Sequence, residues 1–143
     1  MPYRALEDAP TSDVGFHAWG TSLDECFNAA AAATLAVMLD NPEGLQLRER
    51  RTVQIESDAL DLLLLKFLEE LIYYKDRDRL LLRPTQVVVG GAPGRWQVDA
   101  TFEGEVVDPT RHRLSGDVKA VTLHRLSVQR TNGDWDATVV LDV

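Results

Sequence analysis

The sequence has 143 residues, a formal net charge of -8 and an isoelectric point of about 4.8. A chain of this length buries a core without disulfides or metals, and we predict one domain over residues 1–143. The negative charge argues against stable direct binding to nucleic acid, since such binding needs many lysines and arginines that neutralise phosphates. The single cysteine, Cys26, excludes an internal disulfide. The longest apolar run is too short to cross a bilayer, so we expect a cytoplasmic location and no membrane partner.

The first predicted elements are a strand and a helix. Residues 14–19 alternate between apolar and other side chains, which predicts a short strand with one buried face. Ser22 and Glu25 have the spacing of a capping box, so we expect a helix from Ser22 to about Leu39. The alanine run at 29–33 indicates that this helix packs closely against another element.

A second strand is predicted over Leu45–Ile55, followed by a second helix from Ala59 to about Tyr74. Ser57 or Asp58 is the expected N-cap. The apolar residues of this helix exceed one stripe, which predicts coverage on more than one side. The charged segment 75–79 is expected to form a turn.

The remaining sequence predicts β-structure. Apolar runs indicate strands over Leu80–Leu82, Gln86–Val89, Trp96–Val107, Val121–Arg130 and Trp135–Val143. Asn132-Gly133 is a strong signal for a two-residue hairpin between the last two strands. The fold class is therefore α+β, an antiparallel-rich sheet with two main helices packed on it.

Two carboxylates occupy unusual positions in this pattern. Asp13 directly precedes the first long strand, and Asp142 lies in the apolar closing strand next to Val143. A carboxylate in an apolar strand is costly unless it is exposed, paired or bound to a cation. The residues alone leave two interpretations open: a solvated chain end, or an all-oxygen site for a hard divalent cation that includes the terminal carboxylate.

A second group of polar residues follows the predicted strand that ends at Val107. It comprises the loop Asp108–His112, then Lys119 and His124. A loop histidine can titrate or bind a metal, although a hydrogen-bonded surface or half-buried histidine is the more common role. The sequence contains no nucleotide-binding glycine loop, zinc-ligand spacing or nucleophile elbow, so we predict that the protein is not an enzyme.

Seven stretches of the sequence, in order, resemble the archease family. They are 10–16, 18–25, 56–60, 69–73, 108–112, 118–124 and 139–143. Residues 132–135, Asn-Gly-Asp-Trp, also match the family pattern N-G-x-W. The resemblance implies a strand-helix-strand-strand-like fold. It also implies an activator of the RtcB-type RNA ligase, a metal-dependent enzyme that guanylylates its own histidine and joins RNA ends in tRNA splicing or RNA repair.

The resemblance also implies a metal site. Its ligands would be Asp13, Asp142 and the terminal carboxylate of Val143, which suit Ca²⁺, Mg²⁺ or Mn²⁺. Lys119, His112 and His124 would support this site or contact the partner ligase.

One segment departs from the family pattern. The family commonly reads D-H-T-A-D where this chain has Ala-Pro-Thr-Ser-Asp at residues 9–13. Asp13 is retained, whereas the early acid and the histidine are missing, and Asp8 lies one place further upstream. An imidazole contribution at this place is therefore not expected.

Two other functions remain as alternatives. One is a chaperone-like protein that binds RNA-modifying enzymes. The other is a metal-dependent hydrolase or phosphotransferase that uses Asp13, Asp142, Lys119 and His112, which the absence of a nucleophile motif disfavours.

Overall fold

The computed structural model describes residues 2–9 and 13–143, which form two α-helices and eight strands. The helices are α1 (Leu23–Met38) and α2 (Leu60–Asp78), with a one-turn 3-10 helix at Pro42–Gly44 between them. The strands are β1 (Tyr3–Ala5), β2 (Asp13–Gly20), β3 (Glu49–Ser57), β4 (Leu80–Ala92), β5 (Arg95–Val106), β6 (Ala120–Val121), β7 (Ser127–Thr131) and β8 (Asp134–Asp142). The α+β prediction is confirmed.

The strands form two antiparallel sheets rather than the single sheet that the sequence analysis describes. The larger sheet has the order β1-β2-β8-β6, and β7 also pairs with β8. The smaller sheet has the order β3-β5-β4. The predicted strand Val121–Arg130 is divided into β6 and β7, because a turn with Arg125 in a left-handed conformation separates them.

The main hydrophobic core joins both helices to the sheets. The ring of Phe67 in α2 lies 5.6 Å from that of Phe27 in α1 and 5.3 Å from that of Phe102 in β5. All three side chains are fully buried. Offset aromatic pairs at such distances add to the stabilisation from burial, so this cluster fixes α1 and α2 on the smaller sheet.

Close packing of α1 is confirmed, because its alanines at 29, 30, 31 and 33 are buried. Cys26 on the same helix is also fully buried. Burial raises the pKa of its thiol to about 12, so the reactive thiolate form is suppressed at neutral pH. Ser22 is the N-cap of α1 and accepts a hydrogen bond from the Glu25 amide. The Glu25 carboxylate accepts a hydrogen bond from the Thr21 hydroxyl instead of closing the box on Ser22.

Three predictions about α2 are wrong. The helix continues to Asp78 and ends at Arg79, so residues 75–78 form its last turn rather than a separate turn. Its N-cap is Ala59 without a side-chain hydrogen bond, not Ser57 or Asp58. Its buried residues are 63, 64, 67, 68, 71 and 72, which lie on one broad face, while Leu62 is 37% exposed. One-sided burial explains why the opposite face carries the charges.

Two strand boundaries also differ from prediction. The short runs 80–82 and 86–89 belong to one long strand, β4, whose register shifts between Pro84 and Gln86. Pro84 cannot donate to a sheet ladder, which accounts for an irregularity at this place. The strand predicted from Leu45 begins only at Glu49. No helix among the described residues is long and apolar enough to cross a bilayer.

We expect Phe67→Ala to lower the free energy of unfolding by about 3–5 kcal/mol, because it leaves a cavity among three packed rings. Leu62→Ala on the exposed face of the same helix should change it by less than about 0.5 kcal/mol. Urea unfolding followed by circular dichroism measures both values. Equal effects of the two substitutions would contradict the one-sided burial of α2.

Candidate functional site

Asp13 and Asp142 lie directly opposite each other in the larger sheet. The antiparallel register of β2 and β8 runs from the pair Asp13–Asp142 to the pair Gly20–Trp135. Residues opposite each other in an antiparallel pair point to the same face, with Cβ atoms about 4.5–5.5 Å apart. The pairing therefore brings the first and second predicted metal ligands together.

Asp142 is also held from its other side. β6 pairs with the end of β8, with Ala120 opposite Asp142. The backbone amide of Lys119 donates a hydrogen bond of 2.8 Å to the Asp142 carbonyl oxygen. Asp13, Asp142 and Val143 are all half-buried. The backbone that carries these residues is therefore well defined, while their side chains remain accessible.

The register of β2 and β8 leads us to expect charge repulsion between the carboxylates of Asp13 and Asp142. Like charges directly opposite each other on neighbouring strands are destabilising. Within residues 2–9 and 13–143, no lysine, arginine or histidine forms an ion pair with Asp13 or Asp142. A cation between the two side chains would relieve this repulsion.

The donor atoms suit a hard divalent cation but do not complete its coordination. The carboxylates of Asp13 and Asp142 are oxygen ligands of the kind that Ca²⁺ and Mg²⁺ prefer, and the third ligand predicted at Val143 stays a prediction. The part of the chain that the structure describes contains no cluster of three or more His, Cys, Asp or Glu residues suited to a metal. Ca²⁺ takes about 6–8 oxygen ligands, so main-chain oxygens, water or a partner would supply the rest.

Lys119 approaches this site through its backbone rather than its ammonium group. Its charge acts on Asp117 instead. The pKa of the Asp117 carboxyl lies below its usual value, chiefly because Lys75 donates a hydrogen bond to it, with a smaller contribution from the charge of Lys119. Among the described residues, the Lys119 ammonium forms no ion pair with Asp13 or Asp142.

His124 lies in the exposed turn between β6 and β7. The neighbouring Leu123 is 70% exposed. Arg125 adopts a left-handed backbone conformation there and forms a 3.0 Å ion pair with Asp8. A histidine at this position is available to a partner, and its predicted contact role remains a prediction.

His112 has a different environment from the one that its predicted role requires. Its side chain is only 4% exposed. The ring nitrogen Nδ1 accepts a hydrogen bond of 2.8 Å from the Asp108 amide, and Nε2 lies 3.2 Å from the Glu105 carboxylate. His112 is thus buried with Glu105 beside the smaller sheet, and we therefore do not assign it to a surface that contacts a partner.

Glu105 is the centre of that cluster and was not predicted from the sequence. Its carboxylate accepts hydrogen bonds from Arg111 and from the Gln46 amide. The Arg111 hydrogen bond is the main reason why the pKa of Glu105 falls to about 2. Burial acts in the opposite direction. Glu105 therefore connects the segment before β3 to the loop after β5.

His17 makes cross-strand contacts on the same face of the larger sheet as Asp13. Its Nε2 lies 3.1 Å from the Asp136 carboxylate and its Nδ1 3.4 Å from the Thr138 hydroxyl. Thr138 is directly opposite His17 in the register. These contacts reinforce the pairing that holds Asp13 opposite Asp142.

Comparison with known families shows similarity along nearly the whole chain. The family model described as "Archease protein family (MTH1598/TM1083)" matches residues 3–143. The protein archease of Pyrococcus abyssi is 34% identical over 134 residues, covering 93% of this chain and 94% of that protein. The protein archease of Methanopyrus kandleri is 30% identical over 143 residues, covering all of both chains.

Two solved structures have a similar fold. The solution structure of protein 1598 from Methanobacterium thermoautotrophicum has a TM-score of 0.84 and 30% identity, covering 99% of each chain. The crystal structure of an archease from Thermotoga maritima, described as a possible chaperone, has a TM-score of 0.62 and 16% identity, covering 94% of this chain and 93% of that chain. At that identity the second similarity concerns the fold alone.

We expect Glu105→Gln to lower the free energy of unfolding at neutral pH by about 1.5–3 kcal/mol, the usual contribution of hydrogen bonds to a charged group. A lowered pKa means that this stabilisation is present above the ordinary value of 4.5 and is lost as the pH falls towards about 2. The difference in free energy of unfolding between the wild type and Glu105→Gln should therefore become smaller as the pH falls from 4.5 towards about 2. Urea unfolding at neutral pH and at about pH 3 measures it.

Glu103→Gln is the matched control, since Glu103 lies on the same strand with a side chain 22% exposed. We expect this substitution to cost less than about 1 kcal/mol, as for other partly exposed ion pairs. An equal cost for the two substitutions would show that the Glu105 cluster does not stabilise the fold in the way described.

Proposed function

This chain belongs to the archease family, and on that premise we propose that it activates an RtcB-type RNA ligase. The proposed action is to promote guanylylation of the ligase and its repeated turnover. The ligase would join RNA ends in tRNA splicing or RNA repair. The observation that supports a defined working site is the placement of Asp13 directly opposite Asp142, with Val143 next in the chain.

The proposed role of Asp13 and Asp142 is to hold a divalent cation at the contact with the ligase. The bound cation would supply positive charge that stabilises phosphates during nucleotidyl transfer. The two carboxylates and the terminal carboxylate of Val143 would supply only part of its ligand set. Such an incomplete donor set supports a site that is completed by water or by groups of the partner.

Charge and accessibility support the same mode of action. A net charge of -8 favours encounter with a protein whose catalytic centre is basic, as the centre of an enzyme that handles GTP and RNA would be. His124 is exposed in the turn that follows β6, the strand beside Asp142. We therefore assign His124 and the accessible part of Lys119 to the proposed contact surface.

The hydrolase or phosphotransferase alternative receives no support from the geometry. It requires Asp13, Asp142, Lys119 and His112 to act together. His112 lies in the buried Glu105 cluster, and the Lys119 ammonium forms no ion pair with either aspartate within the described residues. Among the described residues, neither His112 nor the Lys119 ammonium contacts the carboxylates of Asp13 and Asp142, so the four groups do not form one active site.

The chaperone-like alternative is suggested by the description of a related structure. The Thermotoga maritima structure is described as a possible chaperone, but its identity to this chain is only 16%. Light scattering of a heat-denatured client enzyme tests this function directly. Suppression of aggregation in unrelated clients would favour the alternative over the specific action on a ligase.

We expect Asp13→Asn and Asp142→Asn each to reduce the stimulated rate of ligase guanylylation by at least about tenfold. The basis is that loss of even an outer-shell partner of a metal commonly costs about 10–100-fold in affinity or activity. Transfer of labelled GMP to the cognate ligase measures the rate. Asp134→Asn, in the exposed hairpin at the other end of β8, is the control. Full stimulation by both variants would exclude the carboxylate mechanism.

Thermal stability tests whether Asp13 and Asp142 bind a metal. Without divalent cations, Asp13→Asn should raise the melting temperature or leave it unchanged, because it removes like-charge repulsion with Asp142. Saturating Ca²⁺ should stabilise the wild type, by about 2.7 kcal/mol at 100 times the dissociation constant, and not the variant. Thermal unfolding with Ca²⁺ and with EDTA measures both effects.

A variant with two glycines added after Val143 tests the third ligand. The extension removes the carboxylate from Val143 and leaves both aspartates in place. We expect it to weaken Ca²⁺ stabilisation without changing the melting temperature in EDTA. Unchanged Ca²⁺ stabilisation would remove Val143 from the ligand set.

A further inference from the structure

A separate cavity of about 490 Å³ lies between the end of α2 and the segment 114–117. Its apolar lining comes from Met38, Leu81, Val107 and Leu114. Met38 and Leu81 are buried in the fold, whereas Leu114 is 51% exposed at the cavity. The volume falls in the range of about 300–1,000 Å³ that is typical of sites for small molecules.

The wall formed by segment 114–117 is fixed to α1. Ser115 donates two hydrogen bonds there, from its amide to the Met38 carbonyl at 3.0 Å and from its hydroxyl to the Val37 carbonyl at 2.8 Å. Asp40 donates a third, of 3.0 Å, to the carbonyl of Arg113. The cavity is therefore formed before any ligand binds, which reduces the entropic cost of binding.

Lys75 is fully engaged within the cavity wall. Its ammonium group lies 2.7 Å from the Asp117 carboxylate and 3.0 Å from the Asp76 carboxylate. It also donates a hydrogen bond of 2.9 Å to the Val118 carbonyl. An ammonium group has three donors, so Lys75 has none left for a ligand.

Arg79 is the remaining cation of the cavity, and its backbone is unusual. It follows the end of α2 with φ of 55°, the left-handed conformation in which glycine is the common residue. Among the described residues, no carboxylate forms an ion pair with its guanidinium. The fold thus carries an arginine where glycine would relieve strain, and Arg79 lines a cavity whose accessible surface is both polar and apolar.

We propose that this cavity binds a small apolar carboxylate, with its apolar body on Val107 and Leu114 and its carboxylate on Arg79. A guanidinium group pairs with a carboxylate through two parallel hydrogen bonds. One unpaired arginine matches a single negative charge. The two aspartates at the rim favour a cation instead, but both are already hydrogen-bonded to Lys75 and are mostly exposed to water.

Three probes of the same shape and different charge test this assignment. They are 4-phenylbutyrate, 4-phenylbutan-1-ol and 4-phenylbutylamine, titrated into uniformly ¹⁵N-labelled protein and followed by amide chemical shifts. We expect saturable shifts for the carboxylate at Arg79 and at residues 114–117, and weaker binding of the alcohol and the amine. Equal affinity for all three, shifts confined to other regions, or no saturation by 4-phenylbutyrate would overturn the proposal.

Arg79→Gly separates binding from folding. Glycine suits the left-handed conformation, so the melting temperature should not fall. The affinity for 4-phenylbutyrate should fall about tenfold, since a charge-assisted pair is lost. Arg125→Gly is the matched control, because Arg125 has the same conformation at φ 57° and lies outside the cavity. Unchanged affinity in Arg79→Gly, or an equal loss in Arg125→Gly, would exclude Arg79 as the anchor.

Discussion

The pairing of β2 with β8 is the constraint on which the proposed working site depends. It places Asp13 opposite Asp142 although the two residues lie near opposite ends of the sequence. Side chains alternate along a strand, so a shift of one residue would move an aspartate to the other face of the sheet. Phe16 and Val139, buried opposite each other, together with the contacts of His17, resist such a shift. The buried side of the sheet thus fixes the geometry of the charged side.

The Glu105 cluster has a corresponding structural role at the smaller sheet. Its carboxylate holds the Gln46 backbone, Arg111 and His112 together, which are contributed by two connecting segments. The segment that contains Arg111 continues into the loop whose residues line the cavity around Arg79 and then into β6 beside Asp142. The buried Glu105 carboxylate therefore anchors the start of the chain segment that connects the cavity at Arg79 to the site at Asp142. Such a charge is tolerated because it is paired and hydrogen-bonded.

Local sequence signals predicted local structure well. The Ser22 cap and the Asn132-Gly133 hairpin depend on a few neighbouring residues, and both are present. The separation into two sheets depends on pairing between distant segments, which no single stretch of sequence specifies. The C-terminal end of α2 was missed because Arg79 occupies a position where glycine normally marks a helix end.

The candidate site was predictable to a different extent. The residues alone left two interpretations of Asp142 open, a solvated chain end or a metal ligand. Only the family resemblance identified Asp13 and Asp142 as ligands of one site. The burial of His112 was not predictable from the sequence. Its acidic partner Glu105 lies in β5, on the face of the strand whose other side chains are partly or fully exposed. The central position of β8 also has a consequence for synthesis on the ribosome. β3, β4 and β5 can pair as soon as they emerge, whereas the edge of β2 that pairs with β8 stays unpaired until β8 is synthesised.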